Sequence, residues 1–133
     1  MLSQIDGVLT FPILSIPDER GCILKMEHPT FPVQDVYITT VRCGAIKAWH
    51  GYETKQLFYT VASGLVKLVL YDARPASLTY EVYDEMYLGD DSRFSVEIPA
   101  RVFAGFKGIS QKDAIITVQA SEPYHQIYRL PGS

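Results

Sequence analysis

The chain has 133 residues, with 12 Lys and Arg against 15 Asp and Glu, a formal charge of −3 and 47% apolar content. That length suits one compact domain over residues 1–133. The acidic balance excludes the basic footprint of a nucleic-acid binder, and no apolar run approaches the ~20 residues of a membrane span. Residues 1–6 (MLSQID) carry a charge early and no long apolar run, so no signal peptide is expected there. Turn signals then recur roughly every 8–12 residues, the spacing of an all-β sandwich or barrel. They include Pro17-Asp18, Arg20-Gly21, His28-Pro29, Ser63-Gly64, Asp90-Asp91 and Pro99. Between them, strands are expected at residues 22–26, 36–41, 56–61, 65–71, 80–88, 94–98 and 114–120. The nearly continuous apolar run 65–71 predicts a central strand buried on both faces, and Ser63-Gly64 before it predicts a tight hairpin. His28, next to Pro29, is expected in an exposed loop. No stretch has helical periodicity, and proline recurs too often for a long helix. Cys22 and Cys43 make no disulfide framework, which fits a cytoplasmic protein.

The most informative residue is His50. Gly44, then five residues, then His50, and later Gly64, resemble the first part of the cupin jelly-roll signature. The second histidine of that signature falls on Tyr52, and its glutamate on Gln56 or Leu57. The second part resembles residues 99–104, with Arg101 at a turn glycine and Ala104 at a histidine. One imidazole among such neighbours cannot supply the three or more donors that a first-row metal wants. No metal is therefore expected, and His50 is left for packing or for proton transfer. A cupin face opening into the barrel mouth favours proton transfer. Tyr52 lies two residues on, on the same strand face. Trp49 points the other way and is expected in the core. Most other tyrosines, Tyr59 and Tyr71 included, read as cross-strand packing residues. Asp72 and Arg74 read as a salt bridge anchoring a turn, and Glu81, Asp84 and Glu85 as a solvated strand edge.

The segment from Lys47 to Tyr124 is similar to the dTDP-4-dehydrorhamnose 3,5-epimerase family, cupin-fold enzymes of dTDP-sugars. Asp18, Arg20 and Gly21 resemble the family's opening Asp-x-Arg-Gly, and residues 44–50 (GAIKAWH) resemble its Gly-x-Leu-Arg-Gly-Leu-His. Asp72, Arg74, Ser77 and Thr79 match its Asp-x-Arg-x-x-Ser-x-Thr. Ile98-Pro99, Gly105-Phe106 and Glu122-Pro123-Tyr124 resemble later family motifs. With the residue reading above, the resemblance implies an all-β cupin jelly-roll sandwich.

It also implies proton abstraction beside the ketone of a dTDP-linked 4-keto-6-deoxy sugar, without metal or cofactor. His50 would be the base and Tyr124 would lie in the sugar pocket. Arg20, reaching from a partner subunit of a homodimer, and Lys47 would meet the diphosphate. Tyr52, Lys55 and Arg101 are further candidates for substrate contact. Departures from the family keep alternatives open. Its lysine near the enolate oxygen falls on Leu57, two residues from Lys55; its second histidine falls on Ala104, and its acid tyrosine on Val118. Its aspartate behind the histidine falls past the end of this sequence. A reduced site could perform a single epimerisation or a 3,4-keto isomerisation. A site without chemistry would be a sugar-nucleotide- or partner-binding module, and a metal-dependent cupin oxygenase is the weakest alternative.

Overall fold

Short runs of β-branched and aromatic residues, alternating inward and outward, pair into antiparallel ladders because only one face of each strand can be buried. The computed structural model describes residues 3–26, 28 and 30–123. Among them there is no helix, and so none long and apolar enough to cross a membrane. The strands are β1 (Leu9–Asp18), β2 (Gly21–Met26), β3 (Asp35–Val41), β4 (Ile46–His50), β5 (Leu57–Ser63), β6 (Leu65–Asp72), β7 (Tyr83–Gly89), β8 (Phe94–Ile98), β9 (Val102–Gly108) and β10 (Ala114–Ala120). Six form one sheet in the order β2-β1-β8-β5-β10-β3, and four form the other in the order β4-β9-β6-β7. The sheets close over a core that includes Val66, Leu68, Leu70, Leu88, Val96 and Ile116. This is the jelly-roll sandwich that the sequence predicts.

Several local expectations fail for identifiable reasons. β6 is central in its sheet but not buried on both faces: Val66, Leu68 and Leu70 are buried, while Leu65, Lys67, Val69 and Tyr71 are half-exposed on the outer side. Ser63-Gly64 does not make a hairpin, because β5 and β6 belong to different sheets. Gly64 is instead a corner between sheets; its φ is +83°, and an added Cβ would lie 2.7 Å from Ala114 Cα. The expected strand at 80–88 starts at Tyr83, because residues 80 and 81 form a turn and Val82 lies outside the strand. β1 was hidden by Pro12 and Pro17. Residues 9–12 of β1 pair only with β8 and residues 13–18 only with β2, so each proline borders a single partner strand, where its missing N–H is tolerated.

His28 is not in an exposed loop. Its ring stacks 4.2 Å from Phe11 and meets Phe58 and Phe31 edge-on, while Nε2 lies 2.6 Å from Glu97 Oε1. With Phe31, Phe58 and Ile13 buried, this makes a second cluster on the outer face of the large sheet. Histidine serves there because its apolar ring packs while one nitrogen keeps a polar partner.

The turn after β6 is built around one carboxylate. Asp72, fully buried, accepts hydrogen bonds from the Arg74 N–H (3.0 Å), Arg74 Nε (2.8 Å) and Nη2 (2.9 Å), Ser77 Oγ (2.7 Å) and Thr79 Oγ1 (2.7 Å). Arg74 also donates to the carbonyl of Asp6, and the Asp6 N–H donates to Thr79 Oγ1 at 3.0 Å. The salt bridge read from the sequence is therefore the centre of a cage that ties the N-terminal segment to the end of β6. Burial opposes ionisation of Asp72, but the Arg74, Ser77 and Thr79 donors outweigh it and hold the carboxyl well below the usual carboxylate range.

Candidate functional site

β3 and β4 are edge strands of the two opposing sheets, and their inward side chains frame a cavity of about 410 Å³. That is a common size for a small-ligand pocket. Tyr37 and Thr39 line it from β3, and Lys47 and His50 from β4. Tyr59, Phe106 and Val118 come from β5, β9 and β10, and Tyr52 from the segment after β4.

Lys47 and His50 are three residues apart, a spacing that puts side chains on opposite faces of a regular strand. Here Lys47 pairs with Phe106 and His50 with Ala104 of β9, so three steps along β4 match two along β9. One extra residue bulges from β4, and bulges re-aim the side chains that follow them. Phe106 and Ala104 belong to the buried inner cluster, so Lys47 and His50 both face inward. The Ala48–Trp49 peptide inside the bulge is cis. Trp49 does not enter the core as expected; it lies half-buried over Gly105, 6.2 Å from the ring of Tyr83.

Lys47 Nζ donates to Thr39 Oγ1 at 2.9 Å, joining the two edge strands at the exposed rim. His50 is half-buried below it. Tyr52 and Tyr59 are buried, and the Tyr59 ring meets Phe106 edge-on at 4.8 Å. Burial, reinforced by Tyr37 and Tyr52, pushes the Tyr59 phenol well above its ordinary value, so it stays neutral and able to donate a hydrogen bond.

The other candidates lie elsewhere. Lys55 is buried beside the cavity rather than in its lining, with Nζ 4.2 Å from the Tyr52 ring centroid. Burial lowers the pKa of its ammonium, opposed by Glu122 and Asp35. Arg101 sits at φ 67°, the left-handed conformation that explains why a turn glycine is usual there, and it bonds Glu53 at 2.9 Å outside the lining. Arg20 is at the tip of the β1–β2 hairpin, exposed and paired to Asp18 at 2.7 Å. Tyr124 lies outside the described residues. Among the described residues no group of three or more His, Cys, Asp or Glu side chains could hold a metal, and both cysteines are free and exposed. Tyr37 and Thr39 were not singled out from the sequence at all, and Tyr59, read there as a packing residue, also lines the cavity. The strict alternation of β3, which puts Asp35, Tyr37, Thr39 and Val41 on the inner side, was the signal that could have found Tyr37 and Thr39.

No protein-family model matches the chain. The spore coat polysaccharide biosynthesis protein SpsL of Bacillus subtilis is 29% identical over 126 residues, covering 92% of this chain and 83% of that protein. A dTDP sugar isomerase from Desulfovibrio desulfuricans G20 superposes with a TM-score of 0.92 at 27% identity, over 98% of this chain and 88% of that one. The fold is that of the dTDP-4-dehydrorhamnose 3,5-epimerases and related sugar isomerases. The rmlC epimerase of Mycobacterium tuberculosis gives a TM-score of 0.86 at 19% identity, over 99% of this chain and 74% of that one. The resemblance first met in short motifs thus extends through the whole sandwich. Leu57, Ala104 and Val118, where the family's lysine, second histidine and acid tyrosine fall, are all buried and apolar.

Proposed function

We propose that this protein is an epimerase or isomerase of a dTDP-linked 4-keto-6-deoxy sugar, acting by metal- and cofactor-free proton abstraction at His50. The observation that carries the reading is the β4 bulge, which aims His50 and Lys47 together into a cavity lined by phenols. The likeness to a dTDP sugar isomerase at a TM-score of 0.92 supplies the substrate class. The sugar enters the cavity and Lys47 meets the diphosphate at the rim. His50 takes a C–H proton next to the ketone, and the electrons move onto the carbonyl oxygen. The neutral Tyr59 phenol donates a hydrogen bond to that enolate oxygen. Return of a proton gives the epimer or, through the enediol, a 3,4-keto isomer. The relative named for spore coat polysaccharide biosynthesis supports a role in making sugars for a surface polysaccharide, in the cytoplasm.

A homodimer belongs to the same reading. Residues 13–18 of β1 pair only with β2, and this ribbon exposes Leu14, Ile16 and Ile23. An isolated two-stranded ribbon is marginal in water, so a second copy covers it, and the ribbon's tip carries Arg20 to the neighbouring cavity. The test of function is incubation with the keto sugar nucleotide in deuterated water, read by mass spectrometry and NMR. Deuterium enters beside the ketone, and His50→Ala abolishes it. A second reading, a binding module without chemistry, is favoured by the apolar Leu57, Ala104 and Val118; tight dTDP binding by calorimetry with no deuterium gained would establish it in place of the first.

A further inference from the structure

An epimerisation needs two groups on opposite sides of a planar enolate: one removes the proton, and the other delivers a proton to the far face. His50 supplies the first from β4, in the small sheet. Three phenols share its cavity, and the fold separates their roles.

Tyr52 follows His50 by two residues. Its backbone carbonyl accepts from the Arg101 N–H at 2.8 Å, which fixes it to the small-sheet end of the cavity, on the wall of the base. Tyr59, on β5, belongs to the same opposite sheet as β3, but it is buried edge-on against Phe106, with almost no access to solvent from which a spent phenolate could regain a proton. Tyr37 is half-buried on β3, the edge of the opposite sheet. The Lys47–Thr39 hydrogen bond shows how close the two walls come at the rim, and Tyr37 lies two residues along β3 from Thr39, on the same inner side. Tyr37 also pairs in register with Val118, whose other partner is Tyr59. The phenol-free position on β10 is thus flanked on both sides by phenols that reach the same cavity.

We propose that Tyr37 is the catalytic acid, facing His50 across the cavity and protonating the enolate on the face opposite the one that His50 deprotonates. The proposal rests on the epimerase reading and extends it. The C–H bonding pair becomes the enolate, and the proton passes to the imidazole. The Tyr37 O–H bond then breaks, its proton forms the new C–H bond with inverted configuration, and the carbonyl is restored. The Tyr37 phenolate regains a proton from solvent, which its half-buried position admits, and the imidazolium releases one; no other reactant is needed.

The test is Tyr37→Phe assayed in deuterated water with the dTDP-linked 4-keto-6-deoxy sugar, following exchange and inversion separately. An imidazolium exchanges its proton with solvent, so His50 alone can return a deuteron to the face it came from. The expected result is deuterium gain with retained configuration, while inversion falls by roughly 10²–10⁴-fold. Tyr52→Phe and Tyr59→Phe keep the ratio of inversion to exchange. Inversion by Tyr37→Phe at the wild-type ratio to exchange, or equal loss of both, overturns the assignment. Should Tyr37→Phe fail to fold, Tyr37→His is read instead: inversion whose pH profile moves to lower pH supports the acid role, and an unmoved profile refutes it. Wild-type protein that neither exchanges nor inverts removes the epimerase reading itself, and Tyr37 falls with it.

Discussion

Replacing Asp72 with Asn removes one charge and no volume from the cage after β6. Five donors converge on the carboxylate, three of them from Arg74. An asparagine side chain must turn its NH₂ towards some of them. The hydroxyls of Ser77 and Thr79 can rotate to accept, but the Arg74 N–H groups cannot. At least one guanidinium or backbone donor is then opposed by another donor. Breaking one side of a buried ion pair costs about 3–5 kcal/mol. Arg74 is 23% exposed, so water relieves part of this, and the lower end, about 3 kcal/mol, applies. For a domain whose total stability is of order 5–15 kcal/mol, the melting temperature should fall by about 10 °C.

The assay is urea denaturation of wild type and Asp72→Asn. At pH 7 the midpoint should drop with the slope m unchanged. The dependence on pH adds a second check. The folded carboxyl is held well below its unfolded value. Its contribution is therefore fully present above the ordinary carboxylate value of about 4, and is lost as the pH falls below that towards the folded value. The gap between the two proteins should narrow from about pH 4 downwards. A loss under about 1 kcal/mol at pH 7, or a gap that is constant down to acid pH, would refute the view that a charged cage ties the N-terminal segment to β6.

Other outcomes follow from single features. Tyr59→Phe removes a donor that burial keeps protonated; kcat should fall by about 10²-fold with the alkaline limb of the pH profile unmoved, and an unchanged kcat rules out the oxyanion role. Gly64→Ala forces a Cβ to within 2.7 Å of the Ala114 backbone at a φ of +83°; a loss of at least about 2 kcal/mol is expected in denaturant, and an unchanged midpoint contradicts the corner geometry. Ile16→Glu with Ile23→Glu charges the ribbon at two exposed apolar positions; sedimentation should change from dimer to monomer, and a wild-type monomer or a dimeric double variant refutes the ribbon interface.

The architecture was legible because β alternation and punctuation by Gly, Pro and Asp are local signals. What failed was what depends on partners. Ser63-Gly64 reads the same whether the chain folds back into one sheet or crosses to another, and the difference lies in the distant strands that β5 and β6 pair with. His28 reads as a loop residue until Phe11, Phe31 and Phe58 close around it from distant positions. Trp49 was placed correctly on the face opposite His50, but that face is only half covered, and the extra residue between Lys47 and His50 instead brings Lys47 round to the side of His50. A bulge has no composition of its own, so the irregularity that builds the site is the one that period-2 reasoning cannot see.

One motif that made the chain recognisable, the run from Asp72 to Thr79, lies apart from the cavity, whereas the motif at 44–50 gives the cavity Ile46, Lys47, Ala48 and His50. Asp72, Arg74, Ser77 and Thr79 spend their polar groups on one another and on Asp6, and none of them lines the cavity. A buried carboxylate needs such donors whatever reaction the cavity supports. Tyr37, Thr39 and Tyr59 belong to no motif, yet they set the shape and polarity of the pocket. A search keyed to family signatures therefore finds the scaffold and the β4 wall of the cavity, and reports missing catalytic groups at Leu57, Ala104 and Val118. The strands beside those positions hold a different inventory: Val118 on β10 is bracketed at its register by Tyr37 and Tyr59, and both phenols line the cavity. Loss of a signature residue bears on activity only once the neighbouring strands at its register have been read.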